Sequence, residues 1–204
     1  MAPAVLALFG VLMLLTVIRT LIQRQRTGDW GNRRTLLPRG SLEWWGLAAV
    51  DLGLLLVGLG APLADWAGMP LLAVADHPVA RGLGVVFAVL GTIGAFGAQL
   101  ALGASWRIGV DEAERTALVT TGPFRLVRNP VFAAVAVAFL GMALMVPNPI
   151  AIAGLAVTLV GMEMQVRLVE EPYLRRIHGA AYTDYATGIG RFLPGIGRQR
   201  QHRT

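Results

Sequence analysis

Long apolar segments are the feature that most constrains this chain. Runs of about 16 to 23 apolar residues recur along its 204 residues. A helix needs about 20 such residues to cross the hydrocarbon core of a bilayer. Charged residues make up only 15% of the chain, whereas soluble domains carry roughly 25%. The sequence therefore predicts an integral membrane protein.

The apolar runs predict an all-α fold, because lipid permits only helices or closed barrels and the two-residue alternation of barrel strands is absent. Asn129 and Asn148 each precede a proline, and asparagine followed by proline is typical of a helix start. We expect an integral membrane bundle of about five transmembrane helices with a cytoplasmic C-terminal interfacial helical segment. The predicted spans are approximately Ala4–Ile22, Leu42–Leu63, Gly82–Gly103, Val131–Val146 and a fifth that starts near Ile150 and leaves the apolar region near Glu163.

Small residues recur at heptad spacing in the second and third spans, and such residues let transmembrane helices approach closely. They predict helix packing at Gly46, Gly53, Gly60, Gly84, Gly91 and Ala98. Asp51 lies near the middle of the second span, where a lone carboxylate is costly. We expect Asp51 to be protonated or paired with a neighbouring helix, and the sequence does not decide between the two.

The arginines predict the orientation, because positive residues accumulate on the cytoplasmic side. They concentrate in residues 23–41, in residues 105–130 and in the C-terminal part from Arg167, all on one side of a five-span bundle. The other side has only Arg81 with Asp65 and Asp76. We therefore expect a multi-pass protein of the cell membrane with its N-terminus outside and its C-terminus cytoplasmic.

The amino-acid composition limits the classes of binding partner that we expect. All 18 basic residues are arginine, which together with abundant Ala, Gly, Val and Leu favours a bacterial source. Basic loops that face anionic lipid explain the high pI, and no aromatic-basic interleaving suggests nucleic acid as a partner. The chain has no cysteine, and its three histidines lack metal-ligand spacing. We expect a lipid bilayer as partner, without nucleic acid and without a metal.

Two polar stretches, residues 105–130 and 163–194, flank a tight helical hairpin around Pro147. Both should converge at the same cytoplasmic mouth. The predicted organisation is an N-terminal part, residues 1–104, with three transmembrane helices and the cytoplasmic loop 23–41. Residues 105–204 would form the functional region, with a cytoplasmic loop, the hairpin 130–166 and a C-terminal cytoplasmic segment.

Short motifs in these stretches resemble a known family. Gly122-Pro123-Phe124-Arg125 and Arg128-Asn129-Pro130 precede the hairpin, and a glutamate pair, Glu170-Glu171, follows it. Further along are Gly179-Ala180-Ala181-Tyr182-Thr183-Asp184-Tyr185 and Arg191-Phe192-Leu193-Pro194. In this order they resemble the signature of the isoprenylcysteine carboxyl methyltransferase family, over roughly residues 106–194.

The resemblance implies an enzyme that transfers a methyl group from S-adenosyl-L-methionine to a small lipophilic or membrane-embedded acceptor: a carboxylate, a thiol or an amine. It implies a catalytic, acceptor-orienting role for Arg167, although helical spacing also allows Arg167 to pair with Glu163, Glu170 or Glu171. The cofactor-binding residues that it implies are Thr116, Ala117, Leu118, Val119, Phe124, Asn129, Pro130, Val131, Phe132, Glu170 and Glu171.

The chain departs from the family pattern at Phe124, at Asn129 and at Val131-Phe132-Ala133-Ala134, which stands where the family has a polar residue, Tyr, any residue and Gly. Asn129 replaces the usual histidine and cannot titrate, and Phe124 replaces a tyrosine and lacks its hydroxyl. A second hypothesis is an NADPH-dependent membrane reductase that resembles steroid 5-alpha-reductases, and a third is a non-catalytic protein with a degenerate pocket. The reductases usually carry a glutamate after the proline, and residues 131–135 contain no carboxylate. This favours the methyltransferase, whose acceptor and oligomeric state the sequence does not define.

Overall fold

The structure, a computed structural model, describes residues 1–34, 37–111 and 114–199. Within these ranges the chain is helical, with a few isolated β-bridges. Four helices are long and apolar enough to cross a membrane, and a fifth is a shorter apolar helix. The helices are α1 (Ala2–Thr27), α2 (Leu42–Trp66), α3 (Pro78–Ala101), α4 (Pro130–Met145), α5 (Pro149–His178) and α6 (Ala180–Gly188). The prediction of an all-α, multi-pass membrane bundle is confirmed.

The helix ends differ from the predicted spans because polar residues continue several helices beyond the apolar run. α1 reaches Thr27 and stops at Gly28, whose φ of 73° is left-handed and suits glycine. α3 begins at Pro78, where the His77 side chain accepts a hydrogen bond from the backbone N–H of Val79. α5 passes Glu163 and continues for several turns, through a π-helical segment at Gln165–Glu170.

The two asparagine–proline helix starts behave differently. The Asn148 side chain accepts a hydrogen bond from the N–H of Ala151 at 2.9 Å, and its Nδ2 donates to the Ala61 carbonyl of α2 at 2.8 Å. Asn129 forms no side-chain cap. Its Nδ2 donates instead to the carbonyl of Arg191, at 3.3 Å. The expected cap is therefore present on α5 and absent from α4, where Asn129 contacts the C-terminal segment.

Glycines bring two pairs of helices into backbone contact. In α3, a Cβ added to Gly91 would lie 2.3 Å from the Ala138 backbone nitrogen of α4. In α2, a Cβ added to Gly53 would lie 2.6 Å from the Gly154 carbonyl oxygen of α5. These distances are far below van der Waals contact, so only glycine permits this approach. The predicted packing role of the glycines is confirmed at these positions.

A buried arginine fixes the C-terminal end of α3 to α1. Arg19 is 1% exposed although it lies in an apolar helix. Its guanidinium donates to the carbonyls of Gln99, at 3.0 Å, and Gly103, at 2.5 Å, and lies 4.8 Å from the Trp106 ring centroid. Carbonyls at a helix C-terminus lack helical partners and carry partial negative charge, so a cation is favoured there.

Candidate active site at one end of the bundle

The polar stretches predicted to converge meet at one end of the bundle. The backbone of Asn32 pairs with Ile108, which joins the α1–α2 loop to the α3–α4 loop. The Tyr173 hydroxyl of α5 donates to the Glu114 carbonyl at 2.6 Å. The N–H of Arg128 donates to the Gly190 carbonyl at 2.8 Å. All three arginine-rich segments therefore contribute to a single structure.

A cavity of about 410 Å³ opens at this end. This volume lies within the range of small-molecule sites. Its outer part is lined by the α3–α4 loop, the start of α4 and the glutamate pair of α5. Its inner part extends between the membrane helices, where apolar side chains such as Leu12 of α1, Leu54 of α2 and Val135 of α4 line it. One continuous space thus joins a polar mouth to an apolar interior.

The structure brings all the sequence-predicted cofactor-binding residues to this cavity. The lining includes Thr116, Ala117, Leu118, Val119, Phe124, Asn129, Pro130, Val131, Phe132, Glu170 and Glu171. They come from a loop, a helix start and a helix end that are separated in sequence. Their common location is the structural basis for treating the cavity as the candidate site.

The neighbouring glutamates differ in what they contact. Glu171 is 5% exposed, and Arg128, Arg191 and Gln199 all donate hydrogen bonds to its carboxylate. Glu170 also lines the cavity, but its carboxylate forms no hydrogen bond or ion pair within residues 1–34, 37–111 and 114–199. The Glu171 carboxylate is thus occupied by donors of the protein, whereas the Glu170 carboxylate has no such partner among the described residues.

Backbone N–H and C=O groups add further hydrogen-bonding capacity at the cavity wall. The N–H groups of Val131 and Phe132 lie in the first turn of α4, where no preceding helical carbonyl is available to them. The segment Thr116–Val119 forms one hydrogen bond with other described residues, which the Ser105 hydroxyl donates to the Ala117 carbonyl at 3.2 Å. Backbone groups on this wall are thus available to donate to, and accept from, a bound molecule.

A charged cluster holds the loop that forms this wall. Arg33 donates to Asp29 and to Glu114, and Arg107 donates to Glu114 at 2.9 Å. Burial raises the pKa of the Glu114 carboxyl, but the hydrogen bonds from Arg33 and Arg107 outweigh it, and its pKa lies below the usual value. Glu114 is therefore ionised at neutral pH and fixes residues 114–119 against the α1–α2 loop.

Two tyrosines of α6 close the cavity from the side of the C-terminal segment. Tyr182 is 1% exposed, and the Tyr185 hydroxyl donates to the Phe124 carbonyl at 2.6 Å. Burial raises the pKa of Tyr185 to about 12, so its hydroxyl stays protonated and keeps donating. α6 thus packs on the α3–α4 loop, and the predicted interfacial position of the C-terminal segment stays a prediction.

Arg167 is not brought to the site. It is absent from the cavity lining, its side chain is 56% exposed, and it forms an ion pair with Glu163 one helical turn earlier. The implied acceptor-orienting role does not fit this placement. The alternative that helical spacing offered, a pair between Arg167 and Glu163, is the arrangement that the structure shows.

Sequence reasoning missed an ion pair in the cavity wall. Arg34 forms a bidentate pair with Asp51, with Nη2 to Oδ1 at 2.9 Å, and both residues line the cavity. The position of Asp51 inside an apolar span was a usable signal. Arg34 gave none, because nothing in its loop distinguishes it from the neighbouring arginines. The open question about Asp51 is resolved in favour of pairing, with a loop rather than a helix.

Comparison with solved structures gives a similar fold. The structure of the eukaryotic intramembrane Ras methyltransferase ICMT (isoprenylcysteine carboxyl methyltransferase) matches with a TM-score of 0.58 and 19% sequence identity. The match covers 98% of this chain and 71% of that chain. At this identity the likeness shows the fold of the membrane bundle. No curated protein sequence matches the chain.

The amino-acid sequence also matches a known protein family. Residues 79–181 match the phospholipid methyltransferase family. The matched region starts in α3 and extends into α6, so it contains the α3–α4 loop, the helical hairpin and the glutamate pair. This region covers half of the chain and carries most of the residues that line the candidate site. The chain therefore belongs to the phospholipid methyltransferase family of membrane proteins.

Proposed function

We propose that the protein transfers a methyl group from S-adenosyl-L-methionine to a small lipophilic or membrane-embedded acceptor. The observation that carries this proposal is the continuous cavity, which joins the polar wall at Thr116–Val119 and Glu170 to apolar side chains between α1, α2 and α4. A polar cofactor and a lipophilic acceptor can meet only in a cavity that has both a polar wall and an apolar wall. In this proposal residues 105–204 form the methyltransferase-like region, and residues 1–104 complete the wall on the acceptor side.

The residues present fit this cofactor. S-adenosyl-L-methionine has a cationic sulfonium, an amino-acid head group, two ribose hydroxyls and a flat adenine. The Glu170 carboxylate can accept hydrogen bonds from the amine or the ribose, and it has no partner among the described residues. The N–H groups of Val131 and Phe132 can hold the carboxylate of the head group. Phe124 and Phe132 offer apolar area to adenine.

The chain contributes positioning more than covalent chemistry. When bound, S-adenosyl-L-methionine supplies an electrophilic methyl group for an in-line displacement. The loop Thr116–Val119 and Glu170 would orient that group, and the apolar inner wall would align the acceptor and exclude water. Asn129 cannot titrate, so it moves no proton. Its Nδ2 donates to the Arg191 carbonyl and so helps to hold the C-terminal segment. A carboxylate, thiol or amine on the acceptor is compatible with this arrangement.

Glu170→Gln should weaken S-adenosyl-L-methionine binding by roughly tenfold to a hundredfold, the range expected for lost hydrogen bonds to a charged group. The measurement is isothermal titration calorimetry on the purified protein in detergent. Thermal unfolding of the same sample should be unchanged, because Glu170 forms no ion pair with the described residues. Glu163→Gln is the matched control, since Glu163 lies on the same helix and pairs with Arg167 outside the cavity.

A parallel titration with NADPH separates the proposal from the reductase hypothesis. We expect no binding of NADPH at concentrations that saturate with S-adenosyl-L-methionine. Binding of NADPH alone would overturn the proposed function, and equal losses in Glu170→Gln and Glu163→Gln would remove Glu170 from the site.

We further propose that the cavity end faces the cytoplasm of the cell and the N-terminus lies outside. The arginine-rich loops that meet at the cavity support this orientation. At the opposite end, the N–H of Leu72 donates to the Pro147 carbonyl at 2.7 Å, so the α2–α3 loop and the α4–α5 hairpin lie together. Both should be extracellular or periplasmic.

A single cysteine tests this orientation, because the native chain has none. Ala73→Cys in the α2–α3 loop should react with a membrane-impermeant maleimide in intact cells, and Ala181→Cys at the other end should react only after lysis. The reverse pattern would invert the proposed topology.

A further inference from the structure

The Arg34–Asp51 pair joins the α1–α2 loop to the apolar helix α2, which is long enough to cross a membrane. Asp51 follows Leu42, the first residue of α2, by nine residues, which corresponds to about 13 Å along an α-helix. Trp44 and Trp45, near the start of α2, are of the residue type that marks the membrane–water interface. A charged group at this depth is costly unless it is paired, and such groups tend to serve function.

On the side of α1 and α2, the cavity wall around the pair is mostly apolar. Apart from Asp51, the cavity-lining residues of α1 and α2 are Leu12, Met13, Thr16, Leu47, Val50 and Leu54. The side chains of Arg34 and Asp51 nevertheless retain 36% and 40% of their accessible area. A molecule in the inner cavity therefore meets an accessible pair of opposite charges in a mostly apolar part of the wall.

The other arginines of the cavity wall are engaged by the protein. Arg107 donates to Glu114 and to the carbonyls of Ala104 and Trp106. Arg128 donates to Glu171 and to three backbone carbonyls of the C-terminal part. Arg34 forms its side-chain hydrogen bonds with Asp51. A guanidinium has five N–H donors, so Arg34 keeps donors for a ligand.

The charge of the pair constrains what can bind beside it. Arg34 and Asp51 together are neutral, so a head group with a net charge beside them would lose water without gaining a counter-charge from the pair. A head group with no net charge avoids this cost and can still hydrogen-bond to both residues. Removing one charge of the pair would leave the other uncompensated and would attract a head group of opposite sign.

We propose that Arg34 and Asp51 form the subsite that selects the acceptor by head-group charge and favours lipophilic acceptors whose head group carries no net charge. This proposal rests on the proposed function for the identity of the bound molecule as an acceptor. It assigns a specificity role to two residues, one of which lies in the α1–α2 loop and both of which precede the matched family region.

Electron paramagnetic resonance on the full-length protein in nanodiscs tests the proposal. Three amphiphiles with the same spin-labelled acyl chain are compared: one with a phosphocholine head, one with a carboxylate and one with a quaternary ammonium. The immobilised fraction of each gives its relative association. For the native protein we expect the phosphocholine probe to associate on the order of tenfold more strongly than either charged probe. Equal or reversed association would overturn the proposal without any variant.

Substitution of either residue of the pair should change the preference among the three probes in a direction set by the charge that remains. Asp51→Asn should raise the relative association of the carboxylate probe by about tenfold, and Arg34→Gln should do the same for the ammonium probe. The double variant is neutral and should restore the native order. Arg24→Gln is the control, because Arg24 contacts Trp30 at 4.3 Å and is not a cavity-lining residue.

The outcomes separate this proposal from the proposed function. A pair that only fastens the loop to α2 would change stability and leave the order of the three probes unchanged, which would contradict the subsite. An equal shift in Arg24→Gln would assign the effect to the general surface charge and would also contradict it. Calorimetry with S-adenosyl-L-methionine on the same samples tests the methyl-donor assignment separately, since charge selection in the inner cavity does not depend on it.

Discussion

Glu171→Gln should lower the free energy of unfolding by about 3–5 kcal/mol, the usual effect of breaking a buried ion pair. The Glu171 carboxylate accepts from Arg128 Nη2 at 2.6 Å and from Arg191 Nε at 2.7 Å. The side chains of Arg128 and Glu171 are only 2% and 7% exposed. The variant would leave two guanidinium groups facing a neutral amide in a buried site.

The loss should be concentrated in the C-terminal segment. Arg128 also donates to the carbonyls of Ala186, Ile189 and Gly197, so it joins the start of α4 to residues 186–197. We expect trypsin to cleave the variant at Arg191 and Arg198 under conditions in which the native protein is protected. Thermal unfolding followed by tryptophan fluorescence gives the overall change.

Glu163→Gln is again the matched control. Its partner Arg167 is 56% exposed, and surface pairs contribute about 0–1 kcal/mol. A Glu171→Gln protein that is as stable as the control, yet fails to bind S-adenosyl-L-methionine, would contradict the structural role and return Glu171 to the cofactor-binding set that the sequence implied.

The second large effect concerns the contact between α3 and α4. Gly91→Ala should destabilise the protein by about 1–3 kcal/mol, as overpacking of a close contact does. The added methyl group would lie 2.3 Å from the Ala138 nitrogen and 2.6 Å from the Ala134 carbonyl oxygen. Because these are backbone atoms, relief requires the helices to separate. That separation would move the start of α4, which lines the candidate site.

Gly97→Ala offers a control in the same helix. A Cβ at Gly97 would meet nothing within 4 Å, and alanine favours a helix interior over glycine by up to about 1 kcal/mol. We therefore expect opposite signs: lower thermal stability and weaker S-adenosyl-L-methionine binding for Gly91→Ala, and unchanged or higher stability for Gly97→Ala. A similar loss for both variants would contradict the assignment of the effect to the close α3–α4 contact, because Gly97 makes no such contact.

The membrane fold could be predicted from the sequence because lipid leaves few alternatives. Apolar runs define the helices, and the packing glycines follow from their spacing. Helix ends were less predictable, since a helix continues through polar residues whenever tertiary contacts support it. α5 is an example. Its apolar run ends near Glu163, but the helix continues to His178, and in this part Tyr173 and Glu171 form hydrogen bonds with other segments.

The candidate site could be predicted as a set of residues but not as a set of roles. The motif order identified Glu170 and Glu171 together, and nothing in two adjacent glutamates shows which one faces an arginine pair. Arg167 illustrates the same difficulty, because sequence position cannot distinguish a helix face that lines a cavity from one that faces away. The Arg34–Asp51 pair joins a loop to a membrane helix, and such a contact depends on the path of the loop.

The π-helical segment at Gln165–Glu170 divides α5 into two parts with different tasks. A π-turn accommodates an extra residue within a continuous helix. The half that begins at Pro149 is constrained by its fit against α2, and the half that ends at His178 is constrained by the glutamate pair. An insertion absorbed at their junction allows each half to keep its own angular register. Natural selection can therefore adjust the chemistry at one end without repacking the transmembrane half.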